Sequence, residues 1–249
     1  MKHRHDSAGR CDLSDGRIHV WSVRLETSSA VVDRFESLLA VDEAARAARF
    51  RYEEHRRAFA VARGALRILL GRILDAAPAS VQFRYGTHGK PEAVSGEHVD
   101  FSASDTAGLA MFAFARGCEL GLDVEKIRPM PDAARIADAY FTAEEAASLA
   151  STPADEGAFF RHWVCKEAYV KATGEGLNRP LSGFGLRFRH GDSVVLEPVS
   201  GEGDRTTGWR LQLLEPPAGY AAALAYCGGR RPVAAWPVLT AAEMLSIGR

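Results

Sequence analysis

The sequence predicts an α+β fold, and three observations carry that expectation. The first 75 residues hold one alternating segment followed by long runs of helical spacing. From Phe184 onward the pattern is almost entirely β. Strands and helices are thus grouped rather than alternated, which disfavours a doubly wound sheet. The 249 residues suffice for one large domain or two of roughly 120 each. A hydrophobic content of 47% and a charged content of 25% are ordinary for a soluble globular chain. A net charge of −1 gives no bulk attraction for nucleic acid and leaves room only for a local basic patch. Cys11, Cys118, Cys165 and Cys227 form no C-x-x-C pair, so neither a zinc site nor a disulfide framework is indicated. No apolar run reaches the roughly 18 residues of a membrane span. Met1 to Gly16 lacks the apolar core of a signal peptide. A cytoplasmic protein with no membrane and no nucleic-acid partner is expected.

Residues 1–16 read as a flexible tail. Ile18 to Val23 alternates and reads as a strand. Val31, Val32, Phe35, Leu38 and Leu39 then follow helical spacing, and Asp42 is placed to cap a second helix carrying Arg46 and Arg49. A long helix over Glu53 to Leu74 has an apolar stripe and carries Arg56, Arg57, Arg63, Arg67 and Arg72. A solvated face is the ordinary reading of those arginines, with phosphate binding by one or two as the alternative. Val81 to Tyr85 reads as a strand, Gly86 to Pro91 as a loop. Asp100 to Thr106 is a small-residue segment suited to backbone contact with a ligand. Gly108 to Ala115 and Glu119 to Glu125 are expected to pair as a hairpin across Arg116 to Cys118. Further on, Ile136 to Tyr140 reads as helical, and Thr142 with Glu145 forms a capping box that opens a helix. Pro153 and Asp155 open another that ends at Gly174 and Gly176. Four strands follow, and Thr240 with Glu243 starts a last short helix.

The chemistry concentrates between Gly121 and Lys171. In Gly121-Leu122-Asp123-Val124-Glu125-Lys126 the period of 2 puts Asp123 and Glu125 on one face, opposite Leu122 and Val124. In Trp163-Val164-Cys165-Lys166-Glu167-Ala168-Tyr169-Val170-Lys171 the helical spacing puts Glu167 and Lys171 on one face. If strand and helix pack together, three carboxylates meet with lysines beside them. Such oxygens suit Mg²⁺, which takes one or two carboxylates and completes its shell with water and substrate phosphate. The plainer readings are a solvent-facing strand edge and an i,i+4 surface pair worth roughly 0.3–0.5 kcal/mol. His162 and Cys165 read as packing residues.

These residues resemble the motifs of the Sfp-type 4′-phosphopantetheinyl transferases. Gly121 to Pro129 is similar to that family's G-[IL]-D-[IV]-E-x-x-x-P, and Trp163 to Lys171 to its W-[ST]-x-K-E-[AS]-x-x-K. Gly89-Lys90-Pro91 and Phe101 to Thr106 are similar to its G-K-P and F-N-x-S-H-S segments. The likeness spans about residues 18–240. It implies a pseudo-dimer of two similar α+β subdomains joined near residues 117–121: an N-terminal one over 17–118, in contact with coenzyme A, and a C-terminal one over 119–249. The implied reaction moves the phosphopantetheine arm of coenzyme A to a serine of an apo acyl or peptidyl carrier protein, with release of 3′,5′-ADP. The carriers would be those of polyketide and nonribosomal peptide synthesis, and the enzyme a monomer. The resemblance makes Asp123, Glu125 and Glu167 ligands of Mg²⁺ or Mn²⁺. It makes Glu145 the base for the serine, and Lys171 and Lys166 the catalytic lysines. Arg46, Arg63, Lys90, Ser104, Asp105 and Lys171 fall at coenzyme A contacts.

Two positions depart from the pattern. Val164 replaces the hydroxyl residue after the tryptophan, and Asp105 replaces a histidine near the 3′-phosphate. At about 5 Å and an effective dielectric of about 20, a carboxylate there would repel each phosphate charge by roughly 3 kcal/mol before screening. Neighbours such as Arg46 or Arg63 would have to offset it. The competing classes are a paralogue that docks carrier proteins without turnover, and another Mg²⁺-dependent phosphodiester enzyme such as a nuclease.

Overall fold

The computed structural model describes residues 12–248, apart from 88, 95–97, 153–154, 177–178, 190 and 200–205. One order of elements occurs twice. The first copy is β1 (Ile18–Arg24), α1 (Ser29–Glu36), α2 (Val41–Ala47), α3 (Glu53–Leu74), β2 (Gln82–Tyr85), β3 (Pro91–Val94), β4 (Asp100–Thr106) and β5 (Leu109–Ala115). The second is β6 (Leu120–Lys126), α4 (Ala133–Tyr140), α5 (Ala143–Ser151), α6 (Glu156–Thr173), β7 (Phe184–Phe188), β8 (Ser193–Pro198), β9 (Trp209–Leu214) and β10 (Tyr220–Cys227). In both, the first strand pairs antiparallel with the last, and the last with the one before it. The expected α+β architecture is therefore present, as a repeat of topology that leaves no visible repeat in the sequence.

The layers run helix, sheet, sheet, helix. The alternation of β5 shows why. Ala110, Phe112 and Phe114 face the core under α3, while Leu109, Met111, Ala113 and Ala115 face the other sheet. A strand buried on both faces needs apolar residues at every position, and β5 has them. Each fully buried phenylalanine contributes roughly 1.5–3 kcal/mol. Across the middle core, Ile18, Val20 and Met111 meet Leu122, Val124, Ala222 and Leu224.

Several expectations are corrected. The hairpin between residues 108–115 and 119–125 does not form. Both edges of β5 are already taken by β1 and β4, so β6 passes to the second sheet and pairs with β10. Asp100 to Thr106, the small-residue segment, is a strand paired with β5. Ala40, not Asp42, precedes the first turn of α2. The expected tail is outside the described residues up to 11, but Leu13 is 2% exposed and packs in the α3 core. The chain end does not stay with residues 119–227. β11 (Val233–Ala235) runs parallel to β1, and α7 (Ala241–Ile247) buries Ala241, Met244 and Leu245 in the first core. Thr240 and Glu243 form the expected capping box, and Arg72 of α3 donates to the Ile247 carbonyl.

The second half depends on one close approach. The face of β6 and β10 under α6 is made of Gly121, Ala221, Ala223 and Ala225. A Cβ on Gly121 would lie 2.1 Å from the Ala168 carbonyl oxygen and 2.3 Å from the Ala172 nitrogen. Both are helix backbone, so no rotamer change relieves the clash. Gly121→Ala should therefore push α6 off the sheet and cost at least the ~1–3 kcal/mol typical of overpacking. Urea denaturation reads this, and a wild-type midpoint for the alanine variant would refute the close approach.

Candidate active site

Because α6 touches β6 at Gly121, the next inward residues of the two elements face each other. Asp123 is 4% exposed, and its Oδ1 accepts from Lys171 Nζ at 2.6 Å and from Ser104 Oγ at 2.9 Å. Lys171 Nζ also donates to Ser104 Oγ at 3.0 Å. The other Asp123 oxygen, Oδ2, is buried with no hydrogen-bond partner. Burial raises the Glu167 carboxyl, the charges of Asp123 and Glu125 raise it further, and Lys171 pulls it down. The three carboxylates and one lysine expected to meet are thus within one electrostatic neighbourhood.

The free edge of β6 is closed in an unusual way. An unpaired strand edge exposes a row of N–H groups, and here β4 covers it with side chains. Ser102 Oγ, Ser104 Oγ and Thr106 Oγ1 accept from the N–H groups of Leu122, Val124 and Lys126 at 3.0, 3.4 and 3.3 Å. Thr106 Oγ1 also donates to Glu125 Oε2 at 3.1 Å. Arg128 reaches the same Glu125 oxygen at 3.5 Å.

Glu167 and Lys171 open onto a cleft of about 770 Å³. Its walls include Lys90 and Phe101 from the first half, and Tyr140, Trp163, Arg179 and Leu181 from the second. Lys90 reaches across the halves, donating to the carbonyls of Leu120 at 2.9 Å and Ala172 at 3.3 Å. Burial lowers its ammonium pKa, opposed by Glu119, Asp100 and Glu92. Its charge is thus turned to the start of β6 and the end of α6, although it lines the cleft.

Other expected residues lie elsewhere. Glu145 is 5% exposed. Its Oε2 accepts from Thr142 N at 2.8 Å and lies 2.9 Å from Lys166 Nζ, and its Oε1 accepts from Leu186 N at 2.9 Å. Lys166 is fully buried and donates to the carbonyls of Leu181 and Phe184, each at 2.7 Å. Neither residue lines the cleft. The capping glutamate and the lysine beside Glu167 pair with each other inside the second core. Arg63 is likewise committed, pairing with Glu43, donating to Tyr85 Oη at 2.9 Å and lying over Phe83. Arg67, read as part of a solvated face, is 1% exposed and pairs with Glu43 at 2.6 Å. Arg46 rests over Phe59, 5.2 Å from the ring centre. Ser104 serves Asp123 and Lys171, as above, rather than standing free for a ligand.

Asp105 shares the helix side of β4 with Phe101 and Ala103, and its surface is open. The chain crowded around it raises its carboxyl, while Lys171 and Arg46 pull it down. Open surface lets solvent screen both effects, so the useful result is positional: this carboxylate has two cations for neighbours. His162 Nδ1 donates to the Ala158 carbonyl, 2.9 Å away, and its ring lies edge-on to Phe188. Burial lowers its pKa and raises that of Cys165, in keeping with packing roles. Ser102 and Thr106 were missed by sequence reasoning. The signal for them was available: hydroxyls at every second residue of a segment that can only be a strand if its other face is apolar.

Among the described residues, no three His, Cys, Asp or Glu side chains are close enough as they stand to cage an ion. The donor set nevertheless fits a hard cation. Asp123 Oδ2 is an orphaned buried oxygen, and the neighbouring carboxylates destabilise one another. Both conditions are relieved by positive charge.

Residues 119–225 match the 4′-phosphopantetheinyl transferase superfamily. Among curated proteins, the chain is 38% identical over 170 residues to the 4′-phosphopantetheinyl transferase HetI of Nostoc sp. strain PCC 7120, covering 66% of this chain and 71% of that protein. It is 32% identical over 160 residues to the putative 4′-phosphopantetheinyl transferase slr0495 of Synechocystis sp. strain PCC 6803, covering 63% and 65%. It is 25% identical over 167 residues to the 4′-phosphopantetheinyl transferase Sfp of Bacillus subtilis strain 168, covering 66% and 73%. With the carboxylate strand and the lysine helix at the centre of the matched region, the chain belongs to the 4′-phosphopantetheinyl transferase superfamily.

Proposed function

We propose that this chain moves the 4′-phosphopantetheine arm of coenzyme A to a serine of an apo carrier protein and releases 3′,5′-ADP. The observation that carries this reading is the Lys171–Asp123 contact, with Glu167 in the field of Asp123 and Glu125, beside a cleft lined by Glu167 and Lys171 and shared by both halves. Asp123, Glu125 and Glu167 would hold Mg²⁺, or Mn²⁺ in its place. When bound, that ion neutralises charge developing on pyrophosphate oxygens. Lys171 keeps an ammonium at the cleft, one-third exposed, with Asp123 and Ser104 fixing its position. It would meet the leaving phosphate, since phosphoryl-type transfer is mostly positioning and electrostatics. Trp163 and Leu181 supply apolar wall that excludes water. The halves act as one monomeric unit, divided near residue 118, with residues 233–247 returning to the first. Carriers of polyketide or nonribosomal peptide synthesis in the cytoplasm are the proposed partners.

The direct test is to incubate the protein with Mg²⁺, coenzyme A and an apo carrier protein, and to weigh the carrier for the added phosphopantetheine. Glu167→Ala and Asp123→Ala should each lower transfer by more than about a hundredfold with an unchanged circular dichroism spectrum. EDTA should abolish transfer and excess Mg²⁺ restore it. Near-normal turnover in Glu167→Ala would remove the metal assignment.

Glu145 and Lys166 act as a clasp. They tie the start of α5 to β7 and to the 181–184 turn that forms one wall of the cleft. Breaking a buried pair strands its partner, at a cost of roughly 3–5 kcal/mol. Glu145→Gln should therefore lose stability in urea, and Glu145→Leu with Lys166→Met should regain much of it. A glutamine variant as stable as wild type but slow in turnover would return Glu145 to the role of base.

Asp105 lies in the field of Arg46, a cation that would otherwise be free for the 3′-phosphate. Its charge should weaken discrimination for that phosphate. Dephospho-coenzyme A is expected within about tenfold of coenzyme A in kcat/KM, a difference of ~1.4 kcal/mol. Asp105→His should improve coenzyme A selectively. A preference above about a hundredfold, roughly 2.8 kcal/mol, with Asp105→His neutral or harmful, would show instead that Asp105 orients its basic neighbours.

A further inference from the structure

β4 belongs to the first half and β6 to the second, yet two hydroxyls of β4 hold the two carboxylates of β6. Ser104 Oγ donates to Asp123 Oδ1 at 2.9 Å while accepting from Val124 N and Lys171 Nζ. Thr106 Oγ1 donates to Glu125 Oε2 at 3.1 Å while accepting from Lys126 N. In each case the N–H accepted belongs to the residue after the carboxylate. A hydroxyl has one proton to give. Once the backbone N–H occupies a lone pair, that proton is directed to the carboxylate. The repeat of this arrangement at consecutive inward positions of one strand distinguishes it from a single chance contact.

We propose that Thr106 and Ser104 are positioning residues for the cation site, orienting Glu125 and Asp123 from across the junction of the halves. The proposal rests on the reading of Asp123, Glu125 and Glu167 as cation ligands. Each hydroxyl takes up one lone pair of one carboxylate oxygen and limits rotation of the carboxylate. At Asp123 the other oxygen, Oδ2, is buried and left without a hydrogen-bond partner. Partners of ligands commonly change metal affinity by about 10–100-fold when removed. Thr106 gives the cleaner test, because its only ionised partner in the ladder is Glu125, whereas Ser104 also contacts Lys171. In the ladder, the first half would contribute geometry to the cation site without contributing a ligand.

The experiment is Mn²⁺ titration of the whole protein, followed by loss of the free-ion EPR signal, on wild type, Thr106→Val, Thr106→Ser and Glu125→Gln. Thr106→Val keeps the shape and removes the hydroxyl; Thr106→Ser keeps the hydroxyl. Mn²⁺ binding should weaken about tenfold in Thr106→Val and remain within about twofold of wild type in Thr106→Ser. In a Glu125→Gln background, Thr106→Val should cause little further loss, because the hydroxyl acts through that carboxylate. Melting curves run alongside; should the valine variant not fold, Thr106→Ala takes its place in the same cycle. Equal Mn²⁺ affinity in wild type and Thr106→Val overturns the positioning role alone. Full additivity with Glu125→Gln overturns it too, by showing an effect that does not pass through Glu125. Failure of the wild type to bind Mn²⁺ overturns the cation reading and the ladder's role together.

Discussion

The backbone contact between α6 and β6 at Gly121 is the constraint on which the site depends. Helices usually ride on a sheet through side chains, at about 10 Å. Here β6 and β10 place a glycine and three alanines beneath the helix, Gly121, Ala221, Ala223 and Ala225. The helix therefore descends until main chain meets main chain. That descent brings Lys171 Nζ within 2.6 Å of Asp123 and Glu167 into the field of both β6 carboxylates. A cost accompanies it: the carboxylates are desolvated and mutually repelling. Buried charge is tolerated only when opposed, so the same contact that assembles the group creates its demand for cations.

The junction of the halves answers a different constraint. A two-sheet core buries one face of β6 against β1 and β5, and the helix layer covers the other. Its remaining liability is the edge that β10 does not pair. Extending the first sheet onto that edge would need a strand in register with it, and β4 already serves β5. Hydroxyl side chains reach sideways where a backbone cannot, and they satisfy the β6 N–H groups without merging the sheets. Lys90 repeats the logic at the other end, offering an ammonium to the carbonyls of Leu120 and Ala172. The two halves are therefore joined by polar side chains as well as by the apolar layer between their sheets.

Much of this was legible in the sequence because it rests on local periodicity. The stripe of α3, the capping box at Thr142, the α6 terminus at Gly174 and the alternation of Asp123 with Leu122 and Val124 are short-range patterns with short-range causes. What escaped was set by partners distant in the chain. The residues after β5 looked like the second arm of a hairpin, since adjacent strands usually pair; only the occupied edges of β5 forbid it. The return of residues 233–247 depends on an open edge of β1, more than 200 residues earlier. Glu145 shows the limit most plainly. A capping glutamate has one carboxylate oxygen to spare, and whether it meets substrate or, as here, the Leu186 N–H is decided by how α5 packs against β7.

The distribution of charge within the second half follows from the same packing. Lys166 and Glu167 are neighbours on α6, about 100° apart around its axis, so they point into different environments. Lys166 enters the dry core and is neutralised by Glu145 and two carbonyls. Glu167 turns to the cleft, where its own field partners are acidic and only Lys171 opposes them. One helix thus presents a core-paired cation on one side and a cleft-lining carboxylate on the next. The Glu145–Lys166 pair ties α5 to the 181–184 turn and so supports one wall of the cleft. Glu167 and Lys171, one turn apart on the other side of α6, line the cleft instead.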